Sequence, residues 1–170
     1  DGVYIGLQHS GAEVTAGTNR EITFGGKSGV SIAAGQSVWS DAVALPFVRD
    51  ASVSDLAGRK LAVSFHIVGE SGPMTWHAKA LQSSYVTWPG AGAKGHEEAE
   101  GAFSFATAAW YFLDALDMRA EADTYAVVAF GDSITDGTAS TLNGDDRWPD
   151  VLDRRLRALY GNRVAVVNAG

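Results

Sequence analysis

Val127-Val128-Ala129-Phe130-Gly131-Asp132-Ser133-Ile134-Thr135-Asp136-Gly137 is a short apolar run that ends in a small, polar turn bounded by glycines. A continuous apolar run of this length predicts a strand buried in a parallel sheet. Ser133 then lies just past the carboxyl end of that strand, where open α/β sheets gather their ligands. The stretch therefore predicts an exposed serine that is able to act as a nucleophile.

The residues after the turn predict a helix and a second strand. Pro149 suits an early helical position, Asp145 or Asp146 is expected to cap the helix, and Gly161 is expected to end it. Apolar residues at helical spacing share one face: Trp148, Val151, Leu152, Leu156 and Leu159. An apolar strand over 164–167 follows, so the order strand, helix, strand predicts one right-handed parallel crossover unit.

The turn also carries a family resemblance. Phe130-Gly131-Asp132-Ser133-Ile134-Thr135-Asp136-Gly137 resembles the first sequence block of the SGNH, or GDSL, serine esterases and lipases. Arg147-Trp148-Pro149 opens the helix in the expected place, and Asn168-Ala169-Gly170 resembles the second block. The resemblance is close over 123–170 and loose upstream. It implies that 122–170 is the N-terminal part of a three-layer, flavodoxin-like SGNH hydrolase domain.

The resemblance implies roles for residues of both blocks. Ser133 would attack an ester carbonyl and form an acyl-enzyme that water then hydrolyses. The backbone N–H groups of Ser133 and Gly170 would face the developing oxyanion, although a plain turn glycine is the alternative for Gly170. Asp132 and Asp136 are expected to support the turn by bonding nearby amides. Neither a cofactor nor a metal is expected.

Two parts of the family's apparatus do not occur in residues 1–170. They are a third block with the oxyanion-hole Asn and an Asp-x-x-His pair near the C-terminus. Two parallel strands and one helix also leave a sheet edge and an apolar face uncovered. We therefore expect a fragment that does not hydrolyse esters alone. A downstream segment or a second chain would supply the oxyanion Asn and the Asp-x-x-His pair.

The composition excludes several classes of protein. The net charge of −7 argues against a protein that tracks nucleic-acid phosphates. The absence of cysteine excludes disulfides, thiolate nucleophiles and Cys-ligated metals. No apolar run is long enough to span a bilayer, and no signal segment is recognisable at the start. We expect a secreted or periplasmic protein, with a cytoplasmic location as the alternative.

Residues 1–121 show short strand patterns separated by Gly, Ser, Asp and Pro. In the clearest pattern, over 60–68, alternation predicts one buried face that consists of Leu61, Val63, Phe65 and Ile67. Weaker strand patterns cover 3–8, 21–24, 30–32, 37–45, 75–88, 103–105 and 110–118. Residues 90–101 lack apolar periodicity and predict a mobile surface loop. We predict an α+β chain with an antiparallel, jelly-roll-like β-sandwich accessory domain over 1–121.

The histidines and tryptophans are weaker candidates. His66 and His77 lie in predicted strands and are interpreted as structural, while His9 and His96 also precede Ser133. The family's catalytic base follows the nucleophile, so none of the four matches it. Most of the five tryptophans are expected to pack in the core. Trp88, beside a proline at a strand end, is the best candidate for stacking against a sugar ring.

Three functions stay open. The first is a serine carboxylic-ester hydrolase acting on acetylated carbohydrate or other small acyl esters. The second is a non-catalytic carbohydrate-binding module, in which the sandwich binds a glycan and the Ser133 turn is inert. The third is a flavodoxin-like flavin protein, because 133–138 loosely resembles a loop that cradles the FMN phosphate. The carboxylates of Asp132 and Asp136 beside that phosphate disfavour the third function.

Overall fold

The computed structural model describes residues 1–49, 56 and 58–170, which form a mixed α/β chain of mostly antiparallel strands with few helices. The strands are β1 Val3–Ser10, β2 Glu13–Val14, β3 Arg20–Ile22, β4 Leu61–Ser64, β5 Trp76–His77, β6 Ser84–Val86, β7 Phe105–Thr107, β8 Trp110–Tyr111, β9 Tyr125–Phe130 and β10 Val164–Ala169. The helices are α1 Pro46–Arg49, α2 Ser133–Asp136 and α3 Trp148–Tyr160. No helix of the described residues is long and apolar enough to cross a membrane.

The chain divides into two compact units that alternate along the sequence. Unit 1 contains Asp1–Pro73 and Tyr85–Thr107, and unit 2 contains Met74–Ser84 and Ala108–Gly170. Residues 74–84 and 108–121 therefore group with the C-terminal segment. The domain boundary between residues 121 and 122 stays a prediction.

Unit 1 is built around β1. This strand pairs antiparallel with β2, β3 and β4, and Ile5 lies opposite both Arg20 of β3 and Val63 of β4. Alternation brings Ile5 and Leu7 to the buried face of β1. Val14 and Ile22 complete this small core. The predicted strand over 60–68 is shorter than expected, because β4 ends at Ser64. Ile67 is 40% exposed, so its predicted burial is wrong.

Two predicted strands, over 30–32 and 37–45, are absent from this described part of the chain. The apolar side chains that suggested them are exposed, including Ile32 and Trp39, the latter at 70%. A strand pattern gains stability only when a partner strand and a buried face are available. Neither segment has a partner strand or a buried face among the described residues, and α1 begins directly afterwards at Pro46.

The predicted strands over 75–88 and 110–118 are also mostly wrong. Residues 75–88 contain two short strands, β5 and β6, and residues 110–118 contain only β8. Phe112 has φ 61°, which places it in the left-handed region and ends the strand. Aromatic and β-branched composition alone therefore predicted longer strands than the chain forms.

The segment over 90–101 is anchored by hydrogen bonds, in contrast to the predicted mobile loop. The Glu98 carboxylate accepts from the Gly17 amide at 2.8 Å, and the Glu98 carbonyl accepts from the Val14 amide at 2.8 Å. The Asn19 side-chain amide donates to the Gly95 carbonyl at 2.8 Å. The prediction depended on the spacing of apolar residues, and these hydrogen bonds between polar groups do not affect that spacing.

Unit 2 contains the predicted strand, helix and strand. β9 and β10 pair in parallel from Val164 opposite Tyr125 to Ala169 opposite Phe130. α3 connects them in sequence and is linked to β10 by a 3.2 Å hydrogen bond from the amide of Val166 to the carboxylate of Asp153. The order and the parallel pairing are thus confirmed.

The predicted features of α3 are partly confirmed. Pro149 lies in its first turn and Gly161 caps its C-terminus. Arg147, and not Asp145 or Asp146, is the N-cap residue. The carboxylate of Asp150 accepts a 3.1 Å hydrogen bond from the Arg147 amide. This acceptor, three residues into the helix, satisfies an N–H that would otherwise lack a partner, so the helix starts later than either aspartate.

The β9–β10 pair is covered unequally on its two faces. Ala129 is buried, whereas Val128 and Phe130, two residues apart on the other face of β9, are 59% and 87% exposed. Val167, opposite Val128 on β10, is also exposed. The buried residues of unit 2 are small: Ala80, Ala109, Ala129, Thr135, Gly137 and Pro149.

Candidate functional site

Ser133 lies where β9 ends. The strand ends at Phe130, Gly131 and Asp132 follow, and Ser133 is the first residue of α2, a single helical turn. A Cβ atom on Gly131 would lie 2.8 Å from the Cβ of Thr135. Glycine is therefore the residue that lets the chain turn this tightly above the buried Thr135.

Backbone and side-chain hydrogen bonds close this turn. The Asp132 carboxylate accepts from the Ile134 amide at 3.0 Å, which is a typical N-cap contact. The Asp132 carbonyl accepts from the Asp136 amide at 2.9 Å, and the Ser133 carbonyl accepts from the Gly137 amide at 3.1 Å. Gly137 has φ 98° and ends the turn in the left-handed region that glycine favours.

The side chain of Ser133 points to open surroundings. The residue is exposed, and its Oγ makes no hydrogen bond to any other residue that the structure describes. Its backbone N–H also has no partner within the described residues. The serine is thus accessible from solvent, and no general base among the described residues holds it.

The end of β10 contacts the same turn. A Cβ atom on Gly170 would lie 2.7 Å from the Cβ of Thr135 and 2.8 Å from the Asp132 carbonyl oxygen. The Asn168 side chain donates to the Thr135 carbonyl at 2.9 Å and accepts from the Gly170 amide at 3.2 Å. Gly170 therefore lies against the Ser133 turn, and its N–H is bound by Asn168 rather than free.

Asp136, the last residue of the turn, binds His77, for which the sequence predicts only a structural role. The Nε2 atom of His77 lies 3.0 Å from the Oδ2 atom of Asp136. The Asp136 side chain is 19% exposed and that of His77 is 43% exposed. The two residues are 59 positions apart, and no local motif connects them. The sequence carried no signal for this pair beyond the chemistry of each side chain.

The connection from the turn to α3 is fixed to residues 81–83. Asn143 accepts from the Ser83 amide at 2.7 Å and donates to the Ser83 hydroxyl at 2.8 Å. The Asn143 amide donates to the Leu81 carbonyl at 2.9 Å. Asn143 has φ 60°, a left-handed conformation that asparagine tolerates better than most residues. This contact was also missed by sequence reasoning.

Asp146 forms a further hydrogen bond within the segment that connects the Ser133 turn to α3. Its carboxylate accepts from the Thr141 amide at 3.0 Å. Hydrogen bonds from the hydroxyl and then from the amide of Thr141 lower the pKa of Asp146, and the nearby Arg154 adds a smaller lowering. The carboxylate is therefore held ionised as an acceptor for this turn, and it is not suited to proton transfer near neutral pH.

The remaining histidines belong to unit 1. His66 Nδ1 lies 2.8 Å from the carboxylate of Asp1, and the ring of His96 tilts against that of Tyr4 at 6.4 Å. His9 is exposed. No histidine of residues 1–49, 56 and 58–170 is hydrogen-bonded to Ser133.

Trp88, the predicted stacking residue, also belongs to unit 1. It is 63% exposed, and its ring meets that of Phe105 edge-on, with centroids 4.4 Å apart and an interplanar angle of 83°. The edge-on contact supports one side of the indole ring and leaves much of its surface in solvent.

The described residues contain no group of three or more His, Asp or Glu side chains that would hold a metal ion. The chemistry available at the Ser133 turn consists of one exposed hydroxyl, one unpaired amide and a histidine–carboxylate pair. No family model and no curated protein matches this chain.

Proposed function

We propose that this chain carries the nucleophile of a serine carboxylic-ester hydrolase similar to the SGNH esterases. The observation that supports the proposal most is the state of Ser133. It follows the carboxyl end of β9, its side chain is exposed, and its Oγ has no hydrogen-bond partner among the described residues. A serine that only shaped the turn would be expected to bond a nearby backbone group.

The reaction proceeds through an acyl-enzyme. The Oγ of Ser133 attacks the ester carbonyl carbon while a general base takes its proton. The tetrahedral intermediate collapses, the C–O bond to the alcohol breaks, and the proton passes to the leaving alcohol. Water then attacks the acyl carbonyl by the same route and releases the acid.

Two backbone amides are the proposed oxyanion donors. The N–H of Ser133 is unpaired within the described residues, and that of Gly170 lies against the same turn. The Gly170 amide would have to exchange its 3.2 Å bond to Asn168 for the oxyanion. An exchange of one hydrogen bond for a bond to a charged oxygen is favourable, because charge-assisted bonds are stronger.

The general base is proposed to come from outside residues 1–170. His77 uses Nε2 for Asp136, and no described histidine bonds the Ser133 hydroxyl. A downstream segment or a second chain would supply an Asp-x-x-His pair and the oxyanion Asn. The exposed apolar side chains of Val128 and Phe130 support this part of the proposal, since a helix packed on that face of the sheet would cover them.

The finer fold and the substrate are parts of the same proposal. The segment from 122 onward would be the start of a flavodoxin-like, three-layer domain, and the antiparallel strands upstream an accessory β-sandwich. Acetylated carbohydrate or another small acyl ester is the proposed substrate, and a secreted or periplasmic location suits that class. Neither a cofactor nor a metal is needed for this chemistry.

The test is covalent labelling by a fluorophosphonate, which reacts with activated serine hydroxyls, in the presence of the polypeptide encoded after Gly170. We expect tandem mass spectrometry to find the label on Ser133 and Ser133→Ala to abolish it. The matched control is Ser140→Ala, which removes a serine hydroxyl close by in the same connection and is expected to leave labelling unchanged. Labelling elsewhere in the chain, or equal labelling of Ser133→Ala, would contradict the proposal.

The source of the base is tested with p-nitrophenyl acetate. Residues 1–170 alone are expected to show hydrolysis no faster than Ser133→Ala. Addition of the polypeptide encoded after Gly170 is expected to raise the rate, and only when Ser133 is present. Full activity of residues 1–170 alone would show that the base lies within them.

A carbohydrate-binding module is the second candidate, because Trp88 presents a supported aromatic ring to solvent. Aromatic rings of this kind stack on the apolar faces of sugars. Affinity electrophoresis against acetylated and deacetylated polysaccharides tests it. Retardation that Trp88→Ala removes, together with no labelling of Ser133, would favour this function over the hydrolase.

A further inference from the structure

His77 is placed by the short β5–β8 pair. β5 and β8 pair antiparallel, with Trp76 opposite Tyr111 and His77 opposite Trp110. The rings of Trp76 and Tyr111 stack with their centroids 6.4 Å apart and an interplanar angle of 10°. This cross-strand contact stabilises the β5–β8 pair on one of its faces. Residues alternate between faces along a strand, so His77 projects from the face opposite to that stack.

On that face, His77 meets the Ser133 turn through Asp136. The 3.0 Å contact joins Nε2 to a carboxylate that is four-fifths buried. Asp136 and Ser133 are three residues apart in one helical turn, a spacing that places side chains side by side. The amide of Asp136 also donates to the Asp132 carbonyl, which closes the turn. A hydrogen bond at Asp136 therefore acts on the conformation that presents Ser133.

The geometry does not make His77 the general base. A base must lie within hydrogen-bond reach of the hydroxyl proton that it takes. His77 directs Nε2 to Asp136, and its Nδ1 bonds no hydroxyl within the described residues. Its effect on Ser133 is thus indirect and passes through the carboxylate.

We infer that His77 is a positioning residue: by binding Asp136, it holds the α2 turn in the conformation that presents the Ser133 hydroxyl. The effect on the turn follows from the contact itself. The effect on reactivity rests on the proposed function of Ser133. The two consequences are therefore measured separately.

The first measurement is hydrogen exchange at the amides of Asp136 and Gly137, whose bonds to the Asp132 and Ser133 carbonyls define the turn. His77→Leu removes the bond to a charged group and is expected to speed this exchange about tenfold. His77→Gln retains an N–H donor and is expected to restore much of the protection. His9→Leu, which replaces an exposed histidine of unit 1, is the matched control and is expected to change nothing there.

The second measurement is the rate of fluorophosphonate labelling as a function of probe concentration, in the presence of the polypeptide encoded after Gly170. A positioning role predicts that His77→Leu lowers the first-order labelling rate constant about tenfold at full labelling amplitude, and that His77→Gln recovers it. A merely structural role would lower the amplitude, through loss of folded protein, at an unchanged rate constant. Asp136→Asn, of nearly the same shape, is the second variant, and it is expected to slow labelling in the same direction.

The outcomes separate the two proposals. If wild-type protein is not labelled at Ser133 in the presence of the polypeptide encoded after Gly170, but exchange at Asp136 and Gly137 responds to His77→Leu, the hydrolase proposal is wrong and the positioning of the turn is right. If Ser133 is labelled and neither exchange nor rate responds to His77→Leu or Asp136→Asn, His77 does not position the turn and the nucleophile stands.

Discussion

The side-chain amide of Asn168 donates a 2.9 Å hydrogen bond to the carbonyl of Thr135, so the end of β10 is tied to the turn that follows β9. Thr135 is 8% exposed, and its carbonyl has little alternative access to water. The other end of the Asn168 side chain accepts from Gly170. One side chain therefore links the Ser133 turn to the end of β10.

We predict that Asn168→Ala lowers the free energy of unfolding by about 1–3 kcal/mol, because it leaves the Thr135 carbonyl without its donor. Urea denaturation followed by tryptophan fluorescence measures the change. The control, Asn162→Ala, removes an exposed side chain that makes no hydrogen bond within the described residues, and it is expected to stay within about 0.5 kcal/mol of wild type. Equal stability of the two variants would contradict the structural role of Asn168.

The elements around Asn168 were predictable from sequence because their signals are local. The apolar run that ends at Phe130 marks β9, and the next apolar run marks β10. Pro149 in the first turn and Gly161 at the C-cap mark the limits of α3. Strand runs, helical spacing and terminal residues each depend on a few neighbouring positions, so no knowledge of distant contacts is needed.

The contacts that complete the candidate site were not predictable in this way. His77 and Asp136 are 59 residues apart, and Asn143 and Ser83 are 60 apart. Polar pairs of this kind have no sequence period, and one sequence does not indicate which of several histidines meets which of many carboxylates. The wrongly predicted strand over 37–45 has the opposite origin, since its strand pattern was local but no described strand pairs with it.

A pH-dependent contact is expected at Asp41. Its carboxylate accepts from the Gly26 amide at 2.8 Å, the Thr23 hydroxyl at 2.7 Å and the Gly25 amide at 3.0 Å. These bonds, that of Gly26 first, lower the pKa of Asp41 below its ordinary value. A lowered pKa contributes stability that is present above about pH 4, the unfolded value, and is lost as the pH falls through the lowered value.

The amide proton resonances of Gly25 and Gly26, followed by NMR from pH 6 to pH 2, measure that titration. We expect both to shift together with a midpoint below about pH 4, and Asp41→Asn to remove the transition. Asp117→Asn removes an exposed carboxylate without a hydrogen bond in the described structure, and it is expected to leave the transition in place. A midpoint at or above the ordinary value would contradict the hydrogen-bonded turn.

Substitutions of Asn143 can separate the effect of backbone strain on stability from the effect of side-chain hydrogen bonds. Both Asn143→Gly and Asn143→Ala lose the two hydrogen bonds to Ser83, but only alanine must also be forced to φ 60°. We predict that the glycine variant is the more stable by about 1 kcal/mol, and that both are less stable than wild type. Thermal and urea unfolding measure this order, and an alanine variant as stable as the glycine variant would show that the strain is absent in solution.

Gly131 connects β9 to the segment that contains Ser133. The packing around this position requires a residue without a side chain. A Cβ atom there would lie 2.8 Å from the Cβ of Thr135, which is buried. We predict that Gly131→Ala costs about 1–3 kcal/mol of unfolding free energy and displaces the turn, so that fluorophosphonate labelling of Ser133 slows as well.

Gly101→Ala is the matched control for Gly131→Ala, because a Cβ atom at that glycine meets no other atom within 4 Å and its φ is not in the left-handed region. It is expected to leave both stability and labelling unchanged. If Gly131→Ala lost stability but kept the wild-type labelling rate, the turn would tolerate displacement and its geometry would not limit the reaction. If it lost neither, the close packing of Gly131 on Thr135 would be wrong.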